Sequence, residues 1–311
     1  MKNEKFSGLN YFILVGTLLC VFPASAKTLA QTLTFAQNNK TAKLFEYDRS
    51  AALDLKEESS RKQDGITIRD VSYASYSSPE RRVKAYLISP SAKGGFAGVI
   101  FFHWYGRPNG NRNQFVDEAV ALAKQGTVSL LIQGYFPWAQ EPTDAVADRQ
   151  RVIDQTVDVR RSLDLLLSQP GVNPKRVAFV GHDYGAMYGS ILASVDRRVK
   201  NYILIAGISS FSDWSLRYWL VENSDSSKEV YRKSLSDVDP ITHIARAKSA
   251  KLFFQFANQD EHITKTEAES FFNAAGKTKQ IKWYDGKHEL NVEAARRDRI
   301  EWLAQQLKLA R

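Results

Sequence analysis

Three side chains, well separated along the chain, are of types that together can attack carbon and move protons. Asp183 stands in "VGHDYGAMYG" (180–189), between Gly181 and Gly185. Asp260 stands in "NQDEH" (258–262) and His288 in "GKHEL" (286–290). An imidazole titrates near neutrality and can serve as a general base, and a carboxylate bound to it orients the ring and stabilises the imidazolium. A second carboxylate has a different use. It is ionised near pH 7 without help from a base, so it can itself attack a carbon that bears a leaving group.

These residues react only if the fold brings them together. The runs "AGVIFF" (97–102), "TVSLLI" (127–132), "RVAFVG" (176–181), "VKNYILIAG" (199–207), "KLFFQFA" (251–257) and "KQIKWYD" (279–285) read as strands, most of them continuously apolar as in a sheet buried on both faces. Helical spacing fills 113–126, 144–171, 184–195, 265–276 and 292–310 between them. In the second of these, Val146, Ile153, Val157, Leu163 and Leu166 form the apolar side, and Pro170-Gly171 end the helix. Alternating segments at 66–76 and 81–89 predict a hairpin ahead of this core. The aromatic and polar stretch 208–249 breaks the rhythm and reads as a small cap. The alternation implies an α/β fold, with a mostly parallel twisted sheet and helices on both faces. Ligands bind beyond the carboxyl ends of such strands. "HWYG" (103–106), His182-Asp183-Tyr184-Gly185, Asp260 and His288 all fall there. Of the five histidines, His288 alone has both this position and an acid partner, with Asp239 and Glu261 as rivals to Asp260. His103 and His182 are expected to hold loops by hydrogen bonds, and His243 and His262 to be packing or surface residues.

The chain order of nucleophile position, acid and histidine resembles the triad of the α/β hydrolases. The hairpin and the small cap make residues 66–310 most similar to the dienelactone hydrolase-like group. The resemblance implies an α/β-hydrolase fold and a hydrolase for a small organic substrate, with no cofactor and no metal. It implies a strained turn that lifts Asp183 above the sheet, with Gly181 and Gly185 allowing close packing around it. One oxyanion donor is then the N–H of Tyr184, at a helix start. The second comes from the loop after 97–102, from Tyr105 or Trp104. The choice stays open because the usual His-Gly pair is His103-Trp104 here.

The residue at the nucleophile turn is serine in most such hydrolases. Asp183 resembles instead the nucleophile of haloalkane dehalogenases and epoxide hydrolases, which share the fold. That likeness implies an ester between Asp183 and substrate, cleaved by water that His288 activates. Two other readings stay open. One is a dienelactone hydrolase-like esterase in which Asp183 and His288 activate water directly, and the other is an inactive binding protein. Trp104, Tyr135, Trp138, Tyr218 and Trp219 are expected to wall an apolar substrate pocket. Trp214 and Tyr231 are further cap aromatics, and which group assists the leaving atom is not decided by the sequence.

The rest of the chain sets limits. Its 311 residues, 43% hydrophobic, suit one large core. Residues 1–26 have a basic start, the apolar run "FILVGTLLCVF" and a small-residue end at Ala24-x-Ala26. They predict a signal peptide cut after Ala26 and an exported protein, periplasmic or secreted, without stable membrane insertion after cleavage. An N-terminal extension, 27–65, precedes the domain at 66–311. Cys20 is the only cysteine, so the mature chain has no disulfide, thiol nucleophile or cysteine metal site. Lys2, Lys5 and Glu4 account for one unit of the +9 net charge, leaving +8 on the mature part. The basic residues form no run of five or six, which points to a solvated surface and not to a nucleic-acid partner.

Overall fold

The computed structural model describes residues 41–106, 110–135 and 141–310. The expected signal peptide, and Trp138, lie outside them. Nine strands form one sheet: β1 (Lys56–Gln63), β2 (Ile66–Ala74), β3 (Arg82–Pro90), β4 (Phe96–Phe102), β5 (Thr127–Ile132), β6 (Val172–His182), β7 (Asn201–Ile205), β8 (Lys251–Ala257) and β9 (Lys279–Tyr284). Their order across the sheet is β1-β2-β3-β5-β4-β6-β7-β8-β9. The first three strands and the β3–β5 contact are antiparallel, and every pair from β5 to β9 is parallel.

Burial follows from this order. β4, β5, β7 and β8 sit inside the parallel part and are buried almost throughout, which is why they read as unbroken apolar runs. β9 lies at one edge and alternates between more and less exposed positions. β1 forms the other edge, and all eight of its residues, KEESSRKQ, are exposed. It lies in the stretch read from sequence as an extension. Charged side chains along such an edge discourage pairing with another chain, and they also erase the apolar alternation by which a strand is recognised.

The helices are α1 (Val116–Ala123), α2 (Ala145–Leu167), α3 (Tyr184–Val195), α4 (Phe211–Tyr218), α5 (Asp225–Leu235), α6 (Pro240–Ile244), α7 (Lys265–Ala274) and α8 (Glu293–Leu307). α1 and α8 touch each other and one face of the sheet, while α2 and α3 cover the other face, with α6 packed on α3 and α7 on α6. The segment between β7 and β8 contains α4, α5 and α6. Tyr231 on α5 donates to Asp148 on α2 at 2.7 Å, and Arg149 grips Asp237 through two nitrogens, so this segment is tied to α2.

α2 departs from the sequence reading on two sides. Val146, expected on its apolar side, is 80% exposed in the first turn, whereas Ile153, Val157, Leu163 and Leu166 are buried. Its buried face also carries Asp158, Arg160 and Arg161. The chain at 45–55 and the end of β2 cover these residues and supply their partners. Arg160 donates to the Phe45 carbonyl and to Asp196. Asp158 accepts from Ser75 and the Tyr76 N–H and pairs with Arg81. The buried guanidinium of Arg161 spans the carbonyls of Ala51, Ala52 and Ala74. Arg161→Met keeps the stem and removes the bonds, leaving the buried Ala74 carbonyl unpaired. We expect a loss of about 2 kcal/mol in urea denaturation and faster proteolytic nicking near residues 46–55. An unchanged midpoint would show that this segment is anchored elsewhere.

Candidate active site

β6 ends at His182 and α3 begins at Tyr184, so Asp183 alone makes the turn between them. Its φ of 53° and ψ of −113° lie in a region that costs an L-residue about 1–3 kcal/mol. The turn is held on both sides. The Asp183 N–H donates to the Ile205 carbonyl at 2.8 Å, and its carbonyl accepts from the Met187 N–H at 3.0 Å. A Cβ at Gly181 would stand 2.2 Å from the Gly185 carbonyl oxygen, and one at Gly185 would stand 2.1 Å from that of Phe102. No side chain fits either place, so the start of α3 rests directly on the end of β4.

The turn sets the Asp183 carboxyl into a buried site, 1% exposed. Oδ2 accepts from the Tyr105 N–H at 3.0 Å. The Trp104 N–H is turned away and donates to Gln114 Oε1 at 3.0 Å. Of the two donors left open by the sequence, Tyr105 is therefore the one that meets Asp183. The Tyr184 N–H also draws the carboxyl pKa down, but no bond of good geometry reaches Oδ1. Burial outweighs these donors and the nearby His288, and pushes the pKa up to about 6.

Asp260 and His288 come from the loops after β8 and β9 and meet through His288 Nδ1, at 2.9 Å from Oδ2 and 3.1 Å from Oδ1. Asp260 Oδ1 also accepts from the N–H groups of His262 and Ile263. Burial raises the Asp260 pKa, but the bond and charge of His288 and the two backbone donors bring it below the usual value. Burial lowers that of His288, yet the bond to Asp260 and the charges of Asp183 and Asp260 carry it above the ordinary imidazole range. No hydrogen bond joins His288 directly to Asp183. The rivals lie otherwise: Asp239 accepts from the N–H groups of Phe211 and Ser212 at the start of α4, and the Glu261 side chain is exposed.

Aromatic rings enclose His288. Trp104 lies 6.0 Å from it, Trp214 stacks at 6.2 Å and 24°, and His262 stands edge-on at 4.9 Å. Tyr218 donates to or accepts from His262 Nδ1 at 2.9 Å, and Trp219 packs against Tyr105 and Tyr218. Tyr135 is engaged elsewhere, under the Arg81 guanidinium and donating to the Arg151 carbonyl. Tyr231 likewise is committed to Asp148.

Three residues stand closer to the centre than the sequence suggested. His262, read as packing or surface, borders His288, and its place two residues after Asp260 was the available signal. Trp214 precedes Tyr218 by four residues, the spacing that puts both on one side of α4. It is 4% exposed, and its Nε1 has no hydrogen-bond partner. Gln114 had no signal, because its contacts join loops far apart in sequence. Among the described residues no group of His, Cys, Asp and Glu is arranged to hold a metal.

The Asp183 shift has a sign that can be measured. Folding raises this pKa to about 6 from an ordinary 3.8, so the folded state holds the proton more tightly. As pH rises above about 4 the unfolded chain releases the proton first, and stability falls through pH 6. Asp183→Asn removes the loss. We expect it to stabilise the protein by roughly 2 kcal/mol at pH 8 and hardly at all at pH 4, from urea midpoints at both. Equal midpoints for the two proteins at pH 8 would contradict a destabilising buried carboxylate.

A family model described as the dienelactone hydrolase family matches residues 83–301, well over half of the chain. No curated protein matches the sequence. Among solved structures, the chain is similar to acetyl xylan esterase 1 from Thermoanaerobacterium sp. JW/SL YS485, with 15% identity, 88% of this chain and 93% of that one covered, and a TM-score of 0.68. An acetyl xylan esterase from Paenibacillus sp. R4 matches with 17% identity, the same coverage and the same TM-score. A glucuronoyl esterase from Solibacter usitatus matches with 13% identity, 89% and 94% coverage and a TM-score of 0.64. At these identities the structural likeness speaks for the fold, and the family match for the kinship. The chain belongs to the dienelactone hydrolase family and is a hydrolase of the α/β-hydrolase fold.

Proposed function

We propose that this hydrolase works through an alkyl ester on Asp183 and acts on a small organic substrate whose carbon bears a leaving group, such as a halide or a strained epoxide oxygen. One observation carries this reading: in the resting site the Tyr105 N–H already binds Asp183 Oδ2. A donor placed for a substrate carbonyl would be free to receive it. Here the donor addresses the enzyme's own carboxyl group, where negative charge gathers if water attacks Cγ of an Asp183 ester.

The steps follow from the contacts. Oδ1, without a bond of good geometry, attacks the substrate carbon, and the leaving group departs with the bonding pair. The unpaired Trp214 Nε1–H is the donor available to that departing atom. Tyr218, whose pKa burial raises and which senses the charge of Asp183, is the acid we assign to an alkoxide leaving group. His288, oriented by Asp260, then takes a proton from water. The water oxygen adds to Cγ of Asp183, and the oxyanion forms at Oδ2 beside the Tyr105 N–H, with the Tyr184 N–H also favouring negative charge on the carboxyl group. Collapse releases the alcohol, which takes its proton from the imidazolium, and leaves a water oxygen on Asp183. Membership of the dienelactone hydrolase family favours a second reading, in which Asp183 and His288 activate water against an ester or lactone. Export rests on the pattern of residues 1–26 alone.

One turnover of excess enzyme with styrene oxide or 1-bromobutane in ¹⁸O-water is expected to place label on Asp183, read by mass spectrometry of the peptide. Label in the product alone sinks the covalent route. His288→Gln is expected to accumulate the ester as a mass increase on the same peptide. Trp214→Phe keeps the stack on His288 and removes the N–H. We expect it to slow ester formation ten- to a hundredfold while leaving hydrolysis of the formed ester within about threefold; stopped-flow separation of the two steps tests this.

A further inference from the structure

We propose that Gln114 is a positioning residue that fixes the oxyanion-donor loop relative to the general base, with His182 as a neutral spacer between them. The inference rests on His288 acting as base, and not on whether Asp183 is alkylated. Three hydrogen bonds form one chain. The Trp104 N–H donates to Gln114 Oε1 at 3.0 Å, Gln114 Nε2 meets His182 Nδ1 at 2.6 Å, and His182 Nε2 meets the His288 carbonyl at 2.9 Å.

The two ends fix every proton between them. A backbone N–H can only donate, so Gln114 must present its oxygen to Trp104 and its NH₂ to His182. His182 Nδ1 is then an acceptor, and the ring proton sits on Nε2. That proton is the one the His288 carbonyl requires, since a carbonyl can only accept. A second proton on His182 would face the NH₂ of Gln114, and turning the amide over would set that NH₂ against the Trp104 N–H. The chain thus tolerates one tautomer. His182 is fully buried, and burial pushes its pKa far down; the charges of His288, Arg299 and His103 push the same way, against the opposing bond to the His288 carbonyl.

The chain crosses what the mechanism needs aligned. Trp104 immediately precedes Tyr105, whose N–H meets Asp183, and the carbonyl at the far end belongs to His288 itself. The rings repeat the connection: Trp104 stacks on His182 at 5.6 Å and 15°, and His182 lies 5.6 Å from His288. Among the described residues no other group binds the Trp104 N–H or His182 Nδ1, so without Gln114 the two loops are joined only through ring contacts. A displacement of about an ångström at a reacting group costs on the order of a hundredfold in rate.

Two variants test this, each with a readout that needs no substrate. In ¹⁵N-histidine spectra the wild type is expected to show His182 as the Nε2–H tautomer, without titration, from pH 5 to 9. Gln114→Glu can accept from both Trp104 and His182, so it should favour a doubly protonated His182 near neutrality. Gln114→Leu should speed hydrogen exchange at the Trp104 N–H. With p-nitrophenyl acetate, and with styrene oxide, both variants are expected to lose ten- to a hundredfold in kcat with KM within about threefold. Wild-type kcat in Gln114→Leu, or an unchanged His182 spectrum in Gln114→Glu, would overturn the proposal. Full turnover by His288→Gln would instead show that His288 is not the base. A failed ¹⁸O experiment alone leaves the role of Gln114 as it stands.

Discussion

The backbone of Asp183 is the constraint around which the structure is arranged. A residue at φ 53° and ψ −113° persists only where its surroundings hold it there. Here β7 takes its N–H, α3 takes its carbonyl, and Gly181 and Gly185 let three main-chain segments meet without an intervening side chain. These contacts lie between the central strands β4, β6 and β7, the part of the sheet buried on both faces. The strained turn is therefore supported from the buried interior of the sheet. Its result is a carboxyl group standing at the carboxyl edge of the sheet, where the loops after β4, β8 and β9 converge.

Two carboxylates enter that space and hydrogen bonding gives them different characters. Asp260 accepts from His288, His262 and Ile263, and these donors hold it as an anion despite its burial. Asp183 accepts well from Tyr105 alone, so burial dominates and its proton affinity rises. Environment, and not residue type, separates the proton affinities of the two carboxylates. The same logic accounts for the histidines. His103 and His243 are buried with pKa values pushed down to about 4 and act as neutral hydrogen-bonding spacers, whereas His288, between two carboxylates, is pulled upward.

Much of this was legible in the sequence, for identifiable reasons. β5, β8 and α3 have the boundaries read from their apolar runs, because strands buried on both faces and a helix of small residues leave unmistakable patterns. Asp183, Asp260 and His288 stand out as candidates because each lies a few residues at most beyond the carboxyl end of a strand. β1 was illegible because an exposed, charged edge has no apolar alternation. The buried charges of α2 were illegible for a related reason: Asp158, Arg160 and Arg161 look like a solvated face until the chain at 45–55 is laid over them. Tyr135, expected at the pocket, was drawn away by Arg81 and the Arg151 carbonyl, a pairing that no local pattern encodes. Gln114 and His262 gained their places from contacts across the fold, and such contacts are what a reading of short segments lacks.

The pKa of Asp183 also shows why a carboxylate can occupy a turn that commonly carries a hydroxyl. A carboxylate in water is a weak nucleophile because it is well solvated and only weakly basic. Taking it out of water makes it more basic, and so a better nucleophile, until it becomes so basic that it is protonated and useless. The Tyr105 and Tyr184 N–H groups and His288 oppose the desolvation, and the balance settles at about 6. At that value the group is considerably more basic than an exposed aspartate and still ionised above neutrality. On the proposed ester route the Tyr105 N–H thus has two roles at one oxygen. In the resting state it helps to keep the buried carboxylate charged, and if water adds to the carbon of an Asp183 ester it would hold the charge that appears on the same atom. A serine in this turn would need the donors only for the second role. That contact ties the carboxylate to the loop of Tyr105 before any substrate arrives, so on the proposed route the placing of that loop helps to set the charge state of the nucleophile.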